Sequence, residues 1–504
     1  MQLIRWCSMR PRASAVLALA AGAILPLAYA PFGLWPIAFL STTLLFLLWL
    51  GCRPAGAFFR GWLFGLGYFG FGVYWVYNSL HEFGHAPPWL AGALTFLLVM
   101  ALAAFPGIAG YLQARLNRQF PLWLRSVLLM PALWVLLEWA RGWVLTGFPW
   151  LALGYSQIDA PLAGIAPVLG VFGVSLAVAA SSGLLATLLA GRRRGRLAAV
   201  AALAALWLIA GLLGRIDWSE PAGGPLRVTL IQGNIPQERK WADGELEPTL
   251  EMYLAATREH WDSDLIIWPE TAIAAYSFEV EDRLLQPLAR EAAKNEAVVM
   301  AGLIYYEPKG RQYHNSMVVL GPEIGVYHKR HLVPFGEYIP LRNWLRFLDG
   351  LIKLPVSDID PGTIRQPELR VHGYRVSMSI CYESLFPQLI RADLPEAVLL
   401  INASNDAWFG DSLAPPQHLE IARMRAREAS RYLLRATNTG ISAVIGPTGR
   451  ILARSPQFEQ DVLTAEVLPL RGTTPFVLWG NYAVVALTAA LVLGALVWAY
   501  LRRA

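Results

Sequence analysis

Residues 377–387 read SMSICYESLFP. Ser377, Met378, Ser379 and Ile380 alternate polar and apolar, the period of a strand with one face buried. The strand ends at Cys381, and a helix-like segment follows. The chain has three cysteines. Cys7, Cys52 and Cys381 lie far apart and follow no C-x-x-C spacing, so neither a disulfide framework nor a cysteine metal site is expected. A lone thiol at a strand end is ordinarily a small buried hydrophobe. It becomes something else only if other strand ends carry groups that use it.

Its surroundings supply them. From Leu226 the chain alternates short strands with turns or helices. LRVTLIQGNI (226–235) and DLIIWPETA (264–272) read as strands, the second broken by Pro269 with Glu270 at its end. EAVVMAGLIYYE (296–307) is a strand, and YHNSMVVLGPEIGVYHKR (313–330) a hairpin-like pair around Gly321-Pro322. RVSMSICYES (375–384) and AVLLINASN (397–405) are two more strands. HLEIARMRAREASRYLLRAT (418–437) reads as helix, its Arg-rich stretch 420–435 as a solvated face, and ISAVIGPTGRILARS (441–455) as a hairpin. Near-continuous apolar strands between helices imply sheets covered by helices.

The flanking sequence is of another kind. The chain is 55% hydrophobic and only 15% charged, which is little charge for a protein wholly in water. Apolar runs of about 20 residues, the length that crosses a bilayer, recur near 13–30, 34–50, 56–80, 89–111, 122–139, 163–189 and 197–213, and once more at 476–501. About eight transmembrane helices are expected, seven before the polar region and one after it. The opening RWCSMRPRASAVLALAAGAILPLAYA (5–30) has the parts of a signal peptide but is read as the first span. The net charge of +6 is a topology signal, not a nucleic-acid patch. With the N-terminus inside, arginines at 5, 10, 12, 53, 60, 115, 118, 125, 192–194, 196, 502 and 503 all fall in cytoplasmic loops, against Arg141 alone in the opposite ones. By the positive-inside rule the polar region is then periplasmic and both termini are cytoplasmic. The expected division is a seven-helix membrane domain (1–214), a catalytic domain (225–468) and a C-terminal transmembrane helix (469–504).

Two motif matches fail on context. HEFGH (81–85) has the H-E-x-x-H spacing of a zinc site, but Gly84 and Pro87-Pro88 deny it the helix that would put both histidines on one face. GLGYFG (65–70) has the dinucleotide-binding spacing but lies inside an apolar span, where small residues serve close helix packing.

Glu270, Lys329 and Cys381, on three strand ends, make a chemical set. A thiol of ordinary pKa is mostly protonated at neutral pH. A carboxylate can take its proton, and an ammonium can stabilise the thiolate and the oxyanion of an attacked carbonyl. That is acyl transfer through a thioester.

IIWPETA, HKRHLVPFGEYIP and ICYESLFP, in this order and spacing, resemble the nitrilase superfamily with its Glu-Lys-Cys triad. With QGNIPQERKW, LTGFPWLALGYSQID and NASNDAWFGDSLAPPQHLEIARMRAREASRYLLRATNTGIS, the whole chain resembles the apolipoprotein N-acyltransferase family, its membrane branch. The resemblance implies a nitrilase-like αββα sandwich carried by a polytopic helical membrane protein in the bacterial inner membrane. It implies Glu270 as general base, Lys329 as oxyanion stabiliser and Cys381 as nucleophile. Glu337, Glu383 and Tyr382 would support the site, and Trp241 would contribute to substrate binding. It also implies the substrates, a phospholipid acyl donor, typically phosphatidylethanolamine, and a diacylglyceryl apolipoprotein as acceptor, with no metal and no diffusible cofactor required. LRNWLRFLDGLIKLP (341–355) alternates apolar and basic residues and is read as an arm dipping into the membrane interface, with an ordinary surface helix as the other reading. WFGDSLAPPQH (408–418) either borders the acyl entrance or merely connects. Two further readings stay open on the residues alone: a membrane-tethered amidase or nitrile hydrolase that uses water as acceptor, and a transporter or sensor with a periplasmic binding domain.

Overall fold

The computed structural model describes residues 11–116, 120–338 and 359–501. They divide into two compact units, one of residues up to 77, 92–216 and 478 onward, the other of 78–91 and 217–477. The segment 341–355, read above as an arm, lies outside the described residues, as does Cys7.

The first unit is helical. Among the described residues, five helices are long and apolar enough to cross a membrane: Pro11–Ala28, Pro88–Leu116, Leu122–Arg141, Pro161–Ala190 and Arg193–Leu213. Helices Pro36–Trp49, Pro54–Gly72 and Tyr482–Leu501 stand where the remaining apolar runs were read. Leu197, Val200, Leu208, Ile209 and Leu212 on one helix are all exposed, an apolar surface that suits lipid and not water. The glycines of GLGYFG serve packing: a Cβ at Gly65 would meet Ala103 Cα at 2.5 Å, and one at Gly67 would meet Leu19 O at 2.2 Å. HEFGH, which belongs to the second unit, begins on a π-helical turn, Ser79–Phe83. There His81 Nδ1 sits 2.9 Å from the Ala86 carbonyl, and no histidine pair is presented on one helical face.

The second unit holds the strands. In chain order they are β1 (Ser219–Pro221), β2 (Leu226–Gln232), β3 (Leu265–Ile267), β4 (Val298–Glu307), β5 (Gln312–Leu320), β6 (Gly325–His328), β7 (Leu369–Val371), β8 (Tyr374–Ile380), β9 (Leu399–Ser404), β10 (Leu433–Thr437), β11 (Ala443–Ile445), β12 (Ile451–Arg454), β13 (Asp461–Val467) and β14 (Leu470–Gly472). Two six-stranded sheets form, ordered β13-β2-β3-β4-β5-β6 and β12-β11-β10-β9-β8-β7, and β1 pairs with β14. In the first sheet β2, β3 and β4 run parallel, with β13, β5 and β6 added antiparallel. In the second, β8, β9 and β10 run parallel, with β7, β11 and β12 antiparallel to their neighbours.

Side-chain alternation sorts each strand between two cores. Val228, Leu230, Leu265, Ile267, Val298 and Met300 of the first sheet face Met378, Ile380, Leu399, Ile401, Leu434 and Ala436 of the second. Their odd-register neighbours turn outward. Ile231, Ile266 and Val299 pack on Leu250, Tyr253, Leu284 and Leu288 of covering helices. Leu400, Leu433 and Ile445 pack on Leu419, Ala422 and Ala426. The result is a four-layer αββα sandwich. Each fully buried aliphatic side chain contributes about 1.5–3 kcal/mol, so the inter-sheet core is what fixes the register of the site-bearing strand ends.

One expected helix is shorter than its sequence suggested. The helix Ala414–Ala429 stops at Ser430, which takes a left-handed conformation (φ 51°), and RYLLRAT becomes strand β10. The Arg-rich face is not solvated. Arg425, Glu428, Arg431 and Arg435 are all buried. Arg425 pairs with Glu428 at 3.0 Å, and Arg431 donates to the carbonyls of Ala397, Pro395 and Gly472. These arginines anchor loops inside the fold, which charge interleaving along a presumed helix could not reveal.

Candidate active site

Strand direction assembles the site. Cys381 directly follows β8, Glu270 lies three residues past β3, and Asn405 and Asp406 follow β9; all three strands end on the carboxyl side of their parallel sets. Strand β6 runs antiparallel to β5, which is antiparallel to β4, so Lys329 emerges at that same end. Carboxyl ends of parallel strands are where open α/β sheets place their ligands.

Glu270, 6% exposed, and Lys329, 1% exposed, form a buried ion pair at 3.1 Å. Lys329 also contacts Glu337 Oε1 at 2.9 Å. Asn315 on β5 bridges both carboxylates, donating to Glu270 Oε1 at 2.7 Å and to Glu337 Oε1 at 2.9 Å. Glu270 Oε2 accepts the Asn405 backbone N–H at 2.8 Å, and Glu337 Oε2 accepts that of Val333 at 2.7 Å. Burial opposes charge on Glu270. The Lys329 ammonium, the hydrogen bonds from Asn315 and Lys329, and the ammonium of Lys240 outweigh it and hold this carboxyl below its ordinary range. Burial likewise opposes the charge on Lys329, but Glu270, Glu337 and Cys381 raise it well above the usual lysine value. The site therefore holds an ionised base beside a fixed cation.

Cys381 is buried and left-handed, with φ 50°. A non-glycine residue in that region is uncommon and marks a sharp elbow between β8 and the 3₁₀ turn Cys381–Leu385. Burial, then the Glu270 charge, push its thiol far up, with Lys329 acting in the opposite sense. The resting sulfur is thus a thiol that needs a base.

Glu383 ties the elbow to the lysine loop. Its Oε2 accepts from Ile380 N at 2.7 Å and from the Tyr327 hydroxyl at 2.8 Å. Its Oε1 accepts from Arg330 N at 2.6 Å and His331 N at 3.1 Å. Tyr382 packs its ring on His331 and Phe386. Trp241 is 38% exposed; its neighbour Lys240 is the residue that reaches the site.

Several members of the site were not singled out from sequence. Asn315 was read only as part of a strand. Lys240 is buried and donates to the Glu270 carbonyl at 3.2 Å; burial brings its pKa down to about 8. Behind Cys381 lies a second polar cluster of Asp406, His418 and Arg435, each at most 1% exposed. The polar run NASND (402–406) at the end of β9 was the available signal, by the same strand-end argument that found Glu270. Cys381 Sγ, an Asp406 oxygen and a His418 ring nitrogen lie within 4.8 Å of one another, but Arg435 Nη2 donates to Asp406 Oδ2 at 2.7 Å and puts a positive charge where a metal ion would have to sit.

A four-layer sandwich with a glutamate, a lysine and an elbow cysteine at its strand ends defines a carbon–nitrogen hydrolase domain, and residues 227–472 match the carbon–nitrogen hydrolase family model. Residues 21–184 match the model of the apolipoprotein N-acyltransferase N-terminal domain. Full-length relatives agree. The chain is 47% identical over 477 residues to apolipoprotein N-acyltransferase of Methylococcus capsulatus, covering 95% of this chain and 94% of that one. It is 42% identical over 506 residues to that of Azotobacter vinelandii, covering 99% and 97%. Among solved structures, Saccharomyces cerevisiae Nit3, a member of branch 10 of the nitrilase superfamily, aligns with a TM-score of 0.37 at 19% identity, covering 49% of this chain and 90% of that one. The chain belongs to the apolipoprotein N-acyltransferase family.

Proposed function

We propose that this protein moves an acyl chain from a phospholipid, through a thioester on Cys381, to the α-amino group of the N-terminal diacylglyceryl-cysteine of an apolipoprotein. The observation that carries the reading is the buried Glu270–Lys329 pair at the same strand ends as the left-handed Cys381. Family membership supports lipid substrates and a lipoprotein acceptor, and we take phosphatidylethanolamine as the donor.

In the first half-reaction Glu270 takes the Cys381 proton as sulfur attacks the donor's ester carbonyl. The carbonyl oxygen becomes an oxyanion facing Lys329. Collapse breaks the ester C–O bond, and the lysophospholipid leaves with the proton held by Glu270. In the second, the acceptor amine attacks the thioester, Glu270 takes an amine proton, and the C–S bond breaks. The proton returns to sulfur. A general base contributes ~10²–10⁴-fold, and an oxyanion donor ~10²–10³-fold. Glu337 and Asn315 hold the Glu270–Lys329 pair, Glu383 and Tyr382 shape the elbow, and Trp241 meets substrate.

We place the protein in the bacterial inner membrane with residues 225–468 periplasmic, 1–214 and 469–504 as the membrane parts, and both termini cytoplasmic. The arginine asymmetry of the loops supports this. The test is acylation of a diacylglyceryl peptide by purified protein in phosphatidylethanolamine micelles. Wild type forms the amide and Cys381→Ala does not; amide formation by Cys381→Ala at the wild-type rate refutes the proposal. Release of free fatty acid without amide would favour the hydrolase reading.

A further inference from the structure

The left-handed elbow at Cys381 needs something to hold it, and the strand ladder ends one residue earlier, at Ile380. The Cys381 carbonyl meets His418 Nε2 at 3.2 Å. The same nitrogen lies 2.9 Å from the Ser384 hydroxyl, three residues into the turn. On the other side of the ring, Nδ1 lies 3.0 Å from Asp406 Oδ1 and 3.0 Å from Arg435 Nη2. Asp406 is itself fixed, by Arg435 Nη2 and by the Ser404 hydroxyl, which donates at 2.7 Å. Arg435 reaches on to Asn402 Oδ1, and Asn402 donates to Ser379 of β8 at 3.0 Å. The ring is completely buried, and its position on the helix Ala414–Ala429 is set by Leu419 and Ala422 in the outer core.

We infer that His418, whose Nδ1 accepts from Arg435, is a positioning residue that donates from Nε2 to the Cys381 carbonyl and so fixes the Cys381 elbow. The inference rests on Cys381 being the reacting group. The bracket also couples nucleophile to base. Asp406 directly follows Asn405, whose N–H holds Glu270 Oε2 at 2.8 Å, so one strand end sets both partners of the proton transfer. Asp406 is ionised: burial opposes its charge, but Arg435 above all holds its pKa far below the usual range. His418 is neutral, its pKa lowered by burial and then by Arg435; with its one N–H on Nε2, its Nδ1 accepts from Arg435, which bridges the ring to Asp406. Misplacement of reacting groups by about 1 Å costs ~10²-fold, which is the scale on which a loosened elbow acts.

Glutamine can present its amide nitrogen where Nε2 stands; asparagine reaches only the Nδ1 position and leaves the Cys381 carbonyl unheld. The experiment uses the full chain in detergent with His418→Gln, His418→Asn and His418→Leu. Two rates are read: alkylation of Cys381 by iodoacetamide, and single-turnover thioester formation from phosphatidylethanolamine. The Asn and Leu variants slow both by at least about tenfold with donor KM within about twofold of wild type, and the Gln variant recovers to within about threefold. The acid limb of the pH profile stays in place, because Glu270 remains the base. An Asn variant as fast as the Gln variant overturns the inference, and so does a shifted acid limb. If His418→Leu does not fold, the Gln–Asn comparison decides. If wild type forms no thioester, acyl transfer fails as a reading while the alkylation rates still test His418.

Discussion

Gly302→Ala separates positioning of the base from its chemistry. Gly302 lies in β4 opposite Met317, where the chain carrying Glu270 crosses it. A Cβ there would stand 2.4 Å from Pro269 O, 2.4 Å from Thr271 N and 2.8 Å from Glu270 Cα, against ordinary contact from 3.4 Å. Every offending atom is backbone, so none can swing aside. The Pro269–Thr271 segment must retreat by about 1 Å, the scale on which misplacement costs ~10²-fold in rate. The same shift stretches the 2.7 Å bond from Asn315 and the 3.1 Å bond from Lys329 beyond useful hydrogen-bond length. Overpacking of this kind costs about 1–3 kcal/mol, so the domain still folds with a lowered Tm. The assay is single-turnover thioester formation beside thermal unfolding, with Gly224→Ala as control, since a Cβ there meets nothing within 4 Å. The expected result is a loss of about 100-fold in the acylation rate with donor KM changed by less than about threefold. Wild-type acylation by Gly302→Ala would show that the 269–271 backbone does not set the position of Glu270.

Glu383→Ala removes an acceptor shared by Ile380, Arg330, His331 and Tyr327; stranding these buried donors costs about 3–5 kcal/mol, read as a fall in Tm. Thioester formation should hold across neutral and mildly acidic pH and decline only below the ordinary carboxylate value of 4.5, because Glu270 titrates lower than that. The sign for stability is the same: the depressed Glu270 stabilises the fold above the ordinary carboxylate pKa, and this is lost as pH falls through the lowered one. Lys240→Met removes a cation that helps keep Glu270 ionised, so the acid limb of the rate profile moves to higher pH; an unmoved limb would remove Lys240 from the site's electrostatics. Glu270→Gln should lower the thioester rate by ~10²–10⁴-fold and also lower Tm, because it takes one charge from a buried ion pair.

The strands of the sandwich were legible because each core strand buries one face against the other sheet, and alternation such as SMSI records that directly. The strand-end placement of Glu270, Lys329 and Cys381 was legible because each follows a strand signal. Asp406, His418 and Arg435 were not, for a physical reason. Their contacts span 12–29 residues of sequence, and each looks locally like a cap, a loop histidine or a solvated arginine. The helix end at Ser430 was hidden because MRAREASRYLLRAT keeps good helix formers through the break; a left-handed residue and inter-sheet packing, not propensity, end it. Glycine and aromatic content made the span look continuous from 56 to 80, whereas the helix stops at Gly72.

The central claim is that Cys381 carries the acyl chain. Purified protein incubated with phosphatidylethanolamine of one defined sn-1 chain, then digested and analysed by mass spectrometry, should show the peptide containing Cys381 heavier by that acyl group. The adduct should be labile to neutral hydroxylamine and discharged by a diacylglyceryl peptide. An unmodified Cys381 peptide while the acceptor is still acylated, or an acyl group on another residue, would contradict the account.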